Sequence, residues 1–433
     1  MLSDLDALAS AAIPTSLTTL VIEGTVDPLA VARAASSTWD DISYFRSLDG
    51  QEIVGLGRAW VSTGAGEGSR FANAAADFQA AEFAPETLAL VGLAFQESGT
   101  LSEEWGNFAP LEVVVPQISV HRTADGSTIA VTLQAGEDPA AVLWKLRQLQ
   151  RGSDSVPVAS DFRVESSPTS SQYRAAVAEG VREIDSGKLT KLVLARRLKI
   201  TTDIAPDPFA VMAALGEEQP GCYLYGWKRG DTAFIGASPE LLTERANGLA
   251  LSVPLAGTAP RGRNDGADVQ IAAALLSSDK DRHEHRVMID DITERLGPLL
   301  DGLTISQPSV EKFRYVQHLV SRITGPVRNG ETVLNLVDAI HPTPAVGGVP
   351  RDAAQMLIEK LEGFDRGWYG GAVGWMRPEG DGQLAVAIRC ALLRGRESIL
   401  YAGNGIVADS DPELELEETR WKFRALLRHL GEA

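Results

Sequence analysis

Apolar positions along this chain come in short runs separated by glycine-rich turns. In the first 150 residues the runs Leu88–Phe95, Leu111–Val120 and Thr128–Leu133 read as strands. After residue 190 the strand-like runs follow one another closely: KLVLARRLKI, CYLYGW, TAFIGAS, LALSVPL, LAVAIRCALL and SILYAGNGIV. Helical periodicity falls at Ser171–Asp185 and over roughly 267–300, 353–362 and 412–430. Consecutive β runs joined by short turns predict antiparallel pairing rather than βαβ repeats. Residues 151–172 are rich in Ser and Pro and read as a linker or a long surface connection. GAGEGS at 64–69 lacks a following Lys-Ser/Thr and reads as a turn rather than a phosphate loop.

One helical stretch breaks the usual pattern. Ten of the sixteen residues 277–292 are Asp, Glu, Lys, Arg or His, yet Val287, Met288, Ile289 and Ile292 are apolar. Asp281 and Glu284, three apart, share one helix face. Ser278 followed by Asp281 also fits a helix cap, which would leave Glu284 an ordinary solvated acid. The last helical stretch has a similar layout. Asp411 is placed to cap it and Pro412 to open it. Leu416, Phe423, Leu427 and Leu430 form an apolar stripe, and Glu415, Glu418 and Lys422 form a second stripe roughly 110° around the helix. Acids near a helix N-terminus are also favoured by its dipole. Two acidic pairs on two helices could instead meet at one hard divalent cation. Mg²⁺ takes oxygen ligands and keeps several waters.

Composition narrows the partners. The 433 residues carry a formal net charge of −18, which disfavours nucleic acid and anionic membrane surfaces. Two cysteines exclude a disulfide framework and a multi-Cys zinc site. The N-terminal MLSDLDALASAAIP has no basic region, and no apolar run reaches about 18 residues, so the expectation is a cytoplasmic protein.

Other polar residues stand in apolar settings. Lys191 opens the run KLVLARRLKI, either as an edge lysine or as a base. Only about 0.1 % of an ordinary lysine is neutral near pH 7.4, so a lysine base needs burial or a neighbouring cation worth roughly 4 kcal/mol. Glu240 follows an apolar strand and a Ser-Pro turn; it is a helix-start residue or a general acid with a raised pKa. Arg389 lies inside AVAIRCALL, where an arginine usually pairs with a carboxylate of protein or ligand. Gly403 and Gly405 let a ligand approach the backbone closely. HPTPAVGG at 341–348 reads as a rigid turn that could shape a pocket wall.

In this order KLVLARR, GASPELL, LAGTAPRG, SDKDRHEH, HLVSRITG, HPTPAVGG, FDRGWYGGAVGW, AIRCALL, YAGNGIV and the Glu-Glu-Thr before Lys422 resemble the chorismate-utilising enzymes. That family includes isochorismate and salicylate synthases and the large components of anthranilate and aminodeoxychorismate synthases. The motifs span about the last 260 residues. LVGLAF, Trp105 and Pro110 resemble the family's variable N-terminal half only loosely.

The resemblance implies an α+β fold of two large packed antiparallel sheets flanked by helices. Residues 1–433 would be one catalytic unit, with a variable half at 1–165 and a family-matching half at 166–433. It also implies Mg²⁺ and chorismate. Glu284 and Glu418 match the direct metal ligands, and Asp281 and Glu415 the water-mediated ones, although the family often has Glu at the position of Asp281. Arg389, Gly403 and Lys422 match the binders of the enolpyruvyl carboxylate. Gly257 and Thr258 match donors to the ring carboxylate, and His318 a pocket-lining histidine. Lys191 matches the base that activates water for attack at ring C2, and Glu240 the acid that protonates the departing C4 hydroxyl.

Within the family, ammonia-using members carry Thr near the position of Ala345. Lys191, the small Ala345 and the lack of a glutaminase-type Cys-His region favour water as nucleophile, with no glutaminase subunit expected. HPTPA resembles the isochorismate-forming members more than the salicylate formers. Val346 departs from the Leu frequent at that position.

Overall fold

The computed structural model describes residues 13–96, 99–147, 149, 161–314 and 316–430. Most of the N-terminal stretch read for targeting signals, and residues 151–160 of the Ser/Pro stretch, lie outside them. Among the described residues no helix is long and apolar enough to cross a membrane.

Among the described residues two large antiparallel sheets dominate. The first has twelve strands. Its spatial order begins Thr18–Gly24, Gly126–Leu133, Ile118–Thr123, Glu52–Leu56 and Asp41–Arg46, and continues Tyr223–Arg229, Thr232–Ser238, Cys390–Arg394, Glu397–Ile406 and Lys191–Thr202. Gly348–Val349 and Phe162–Ser167 both pair with the outer edge of Lys191–Thr202. The second has nine strands, in the order Thr304–Ile305, Ile323–Pro326, Leu249–Val253, Leu241–Ala246, Gly382–Val386, Ala372–Met376, Ala89–Leu93, Leu111–Val115 and Trp60–Ser62. Strands from both sides of the 148–160 stretch enter both sheets. A small third sheet joins Leu255–Pro260, Val316–Val320 and Ser309–Lys312.

The runs are continuously apolar because both faces of these strands are covered. Side chains alternate sides along a strand. In Tyr223–Arg229, Tyr223, Tyr225 and Trp227 enter a core that also holds Leu90, Val373 and Ala385 of the second sheet. Leu224, between them, faces outward onto Phe209, Met212 and Leu215 of helix Pro208–Glu218. The second sheet does the same. Leu90 points to the shared core, while Ala89, Val91 and Leu93 pack with Phe71 and Phe78 of helix Arg70–Ala80 and with Leu336 of helix Val333–Ile340. The result is a helix–sheet–sheet–helix arrangement, which matches the expected α+β fold.

Several boundaries differ from the sequence reading. Leu111–Val120 is two strands in different sheets, because the chain leaves one sheet at Pro116 and enters the other at Ile118. Part of the supposed linker, Phe162–Ser167, is a strand. The helix expected over 267–300 is two, Asp265–Ser277 and Asp279–Leu296. Ser278 adopts extended backbone (ψ 116°) and its hydroxyl accepts the Asp281 N–H at 3.3 Å. In helix Pro412–Leu430, Leu427 is half-buried, and the buried stripe is Leu416, Thr419, Phe423, Leu426 and Leu430. Thr419 tolerates burial because its hydroxyl donates to Leu416 O at 2.7 Å.

Candidate active site

A cavity of about 240 Å³ opens where the chain passes between the two large sheets. One passage is Pro239–Glu240, between Thr232–Ser238 and Leu241–Ala246. Another is 387–389, between Gly382–Val386 and Cys390–Arg394. All thirteen candidates line this cavity: Lys191, Glu240, Gly257, Thr258, Asp281, Glu284, His318, Ala345, Arg389, Gly403, Glu415, Glu418 and Lys422.

Lys191 begins the strand that forms one wall. It is 4 % exposed, and its Nζ lies 2.6 Å from Glu284 Oε1. Lys191 holds the Glu284 carboxyl below its ordinary range, against the opposing effect of burial. Gly405 makes this pairing possible. A Cβ there would sit 3.0 Å from Lys191 Cε and 3.3 Å from Glu284 Oε1. A Cβ at Gly403 would meet the Tyr369 hydroxyl at 2.7 Å. The two glycines thus make room for protein side chains, where the sequence suggested room for a ligand.

Glu240 is 5 % exposed. Burial pushes its carboxyl up to about 7, only partly opposed by Lys191, the Leu255 N–H and Arg389. A group of this kind is largely protonated just below neutral pH and can give a proton away.

Helix Asp279–Leu296 contributes Asp281 and Glu284, and helix Pro412–Leu430 contributes Glu415, Glu418 and Lys422. Asp281 both receives the Ser278 cap and faces the cavity. Gly257 approaches it closely. Gly257 sits at φ +68° in a bulge between Ala256 and Thr258, where a Cβ would lie 3.0 Å from Asp281 Cβ. Glu415 is anchored by Ser410 Oγ (2.8 Å) and Asn404 Nδ2 (2.9 Å). Burial pushes its carboxyl up and the Glu418 charge adds to this. Burial also pushes Glu418 up, but Lys422, 2.7 Å away, prevails and holds it below its usual range. Lys422 reaches Gly403 O (2.8 Å) and Asn404 Oδ1 (2.9 Å) as well, so its three donors are all engaged. Burial pulls its pKa down.

Arg389 differs from the two lysines. Its guanidinium makes no hydrogen bond or ion pair among the described residues, and its backbone holds φ +54°. His318 Nδ1 lies 3.0 Å from Thr258 Oγ1, and its buried Nε2 has no partner among the described residues. Burial, with Arg389 and Lys422 nearby, pulls the imidazole to about 3, so it is neutral at physiological pH. Ala345 sits in the turn 342–347, closed by Val346 N–H and Gly347 N–H on Thr343 O at 3.1 and 2.9 Å. The cavity also takes in Tyr369, Tyr401, Lys280 and Ser410, which sequence reasoning did not single out. Tyr369 stands beside a Gly-Gly pair in FDRGWYGG and Tyr401 opens YAGNGIV, so the signal lay inside motifs already noted.

The donor chemistry of the acids fits a hard divalent cation. All four are carboxylates, they come from two helices, and Glu284 and Glu418 feel each other's charge. Among the described residues no group of three or more His, Cys, Asp or Glu is drawn to metal-ligand spacing. Mg²⁺ does not require one, since it commonly binds one or two protein carboxylates and fills its remaining positions with water and substrate.

The sequence profile of the chorismate-binding enzymes matches residues 9–431, well beyond the C-terminal motifs. The salicylate biosynthesis isochorismate synthase of Pseudomonas aeruginosa is 37% identical over 353 residues, covering 78% of this chain and 73% of that protein. The isochorismate synthase MenF of Bacillus subtilis is 32% identical over 351 residues, covering 78% of this chain and 74% of that protein. The structure of MenF, the menaquinone-specific isochorismate synthase from Escherichia coli, superposes with a TM-score of 0.86 at 26% identity, covering 99% of this chain and 98% of that one.

Proposed function

The chain belongs to the chorismate-binding enzymes, and on that premise we propose that it is an isochorismate synthase, an isomerase that converts chorismate to isochorismate. The observation that carries this reading is the meeting of all thirteen motif residues in one cavity, with a carboxylic acid poised near neutrality in the same cavity as a buried lysine.

Lys191 is the base. It takes a proton from a water that attacks ring C2. Glu240 is the acid. It gives its proton to the C4 hydroxyl, which leaves as water while the ring double bonds shift. One water enters and one departs, so the net change is an isomerisation. Arg389 supplies the direct contact to the enolpyruvyl carboxylate, because its donors have no partner among the described residues while those of Lys422 are engaged. Lys422 and Gly403 form the wall behind it. Gly257, Thr258 and the neutral His318 border the ring carboxylate, and Ala345 leaves space beside the ring.

Glu284 and Glu418 would hold Mg²⁺ directly, with Asp281 and Glu415 acting through water. When bound, the metal neutralises and fixes the ring carboxylate. Lys191 is paired with Glu284 here and must give up its own proton before its nitrogen lone pair can take one from water; a cation sharing that carboxylate would weaken the pairing that favours the ammonium.

The test is incubation of the purified protein with chorismate and Mg²⁺, with products separated by chromatography. Isochorismate without pyruvate is the expected result. Salicylate with equimolar pyruvate would make it a salicylate former. Product only when ammonia is supplied would overturn the role of Lys191.

A further inference from the structure

The outer edge of strand Lys191–Thr202 is incompletely covered. Gly348–Val349 pairs with Lys191 and Leu192, and Phe162–Ser167 pairs with residues 197–202. Among the described residues no strand covers 193–196, directly behind the cavity, although the Val193 N–H still donates to Gly347 O at 2.7 Å. A buried strand edge with unsatisfied N–H and C=O groups is costly, so something must satisfy it.

Two charged side chains do so. Ala195 N–H donates to Glu362 Oε1 at 2.7 Å, and Arg366 Nη2 donates to Val193 O at 2.9 Å. The two side chains pair with each other: Arg366 Nε lies 2.8 Å from Glu362 Oε2, and Nη2 also contacts Oε1. Glu362 ends helix Arg351–Glu362, and the αL turn at Gly363 brings Arg366 back alongside it. Glu362 is 6 % exposed and Arg366 3 %.

The guanidinium reaches further. Its Nη1 donates to Val346 O at 2.7 Å, in the turn that carries Ala345. Its Cζ lies 4.2 Å from the Phe95 ring centroid and 5.6 Å from that of Tyr369. One side chain therefore ties together three walls of the cavity: the strand bearing Lys191, the turn bearing Ala345, and Tyr369.

We infer that Glu362 and Arg366 are positioning residues that stand in for a missing strand and aim Lys191 and Ala345 at the substrate. A buried ion pair is a poor source of net stability, because desolvation offsets its attraction. What this pair offers that an apolar pair does not is a set of hydrogen bonds to the backbone of two cavity walls. The inference rests on the reading of Lys191 as the base.

Arg366→Lys tests it, because it keeps the charge and loses the fork that spans Glu362, Val193 and Val346. Arg229→Lys is the control. Arg229 is equally buried and pairs with Glu112 at 2.7 Å, yet neither residue lines the cavity. Kinetics are normalised to folded protein. Arg366→Lys is expected to lower kcat by about 100-fold, the scale of a misplacement of about 1 Å, with little change in KM. Arg229→Lys should lower the melting temperature and leave kcat per folded molecule unchanged. Glu362→Gln asks the same question if Arg366→Lys does not fold. It retains an acceptor for the Ala195 N–H and should lower kcat in the same way. A variant that folds and turns over at the wild-type kcat overturns the inference, as does an equal loss in Arg229→Lys. Failure of the underlying reading would look different: the wild-type protein itself would release no isochorismate.

Discussion

Arg389 joins backbone strain to ligand capture, and the two can be separated by comparing Arg389→Gly with Arg389→Ala. At φ +54° a residue with a Cβ costs roughly 1–2 kcal/mol relative to the right-handed region. The carbonyl accepts from Ala237 N–H at 3.2 Å, which holds this conformation in place. Alanine keeps the strain and removes the cation; glycine removes both. Glycine gives back part of the gain through its freer unfolded chain, about 0.5–1 kcal/mol. Glycine should therefore be the more stable variant by up to about 1 kcal/mol. Unfolding a chain of this length releases about 0.9 kcal/mol per degree at typical specific entropies, so the expected shift is about 1 °C. Scanning calorimetry at one fixed rate can compare the two. Both variants should lose chorismate affinity alike, by the roughly 1.5–3 kcal/mol of a charge-assisted hydrogen bond, or about 10- to 150-fold. An alanine variant as stable as the glycine one would refute the strain. Wild-type KM in either would refute the capture.

Lys191→Ala should abolish turnover while a titration still shows chorismate binding; substantial residual activity would remove the base assignment. Glu284→Gln and Glu418→Gln should each raise the Mg²⁺ concentration needed for half-maximal rate, and an unchanged metal titration would count against the site. Glu240 makes a pH-dependent prediction. Its folded pKa, about 7, lies above the ordinary 4.5, so its protonated form is available below about pH 7 and activity should fall as pH rises through that value. The same shift costs the folded state stability progressively as pH rises from about 4.5 to about 7. Glu240→Gln should be inactive throughout, and its melting temperature relative to wild type should climb over that window; a flat difference would refute the raised pKa.

Much of the fold was legible because strand runs, caps and helix faces are local signals. Asp411 does cap the last helix, its side chain accepting the Glu413 and Leu414 N–H groups at 2.9 and 3.0 Å. The site residues were legible through motifs, and their roles came from the family resemblance rather than from spacing. What escaped was non-local. LEVVVPQISV gives no sign that its two halves belong to different sheets, since both are buried. The apolar stripe of the last helix was placed on Leu427 because a buried Thr419 is invisible until its hydroxyl is seen to bond within the helix. Glu362 and Arg366, four apart, look like a solvated helix-end pair, and only the gap in the sheet edge reveals their task.

Every described residue lining the cavity lies at or beyond position 191, while the earlier part of the chain supplies strands to both large sheets. On the ribosome this imposes a wait. Asp41–Arg46 borders Tyr223–Arg229, and Ala89–Leu93 borders Ala372–Met376, about 280 residues later in synthesis. At roughly 5–20 residues per second, the edge of Ala89–Leu93 stays unpaired for tens of seconds. An exposed apolar strand edge is a template for pairing with another chain. The span from first strand to last partner thus sets a period of vulnerability during which a nascent molecule depends on chaperones, or on the repulsion of its own negative charge, to remain alone.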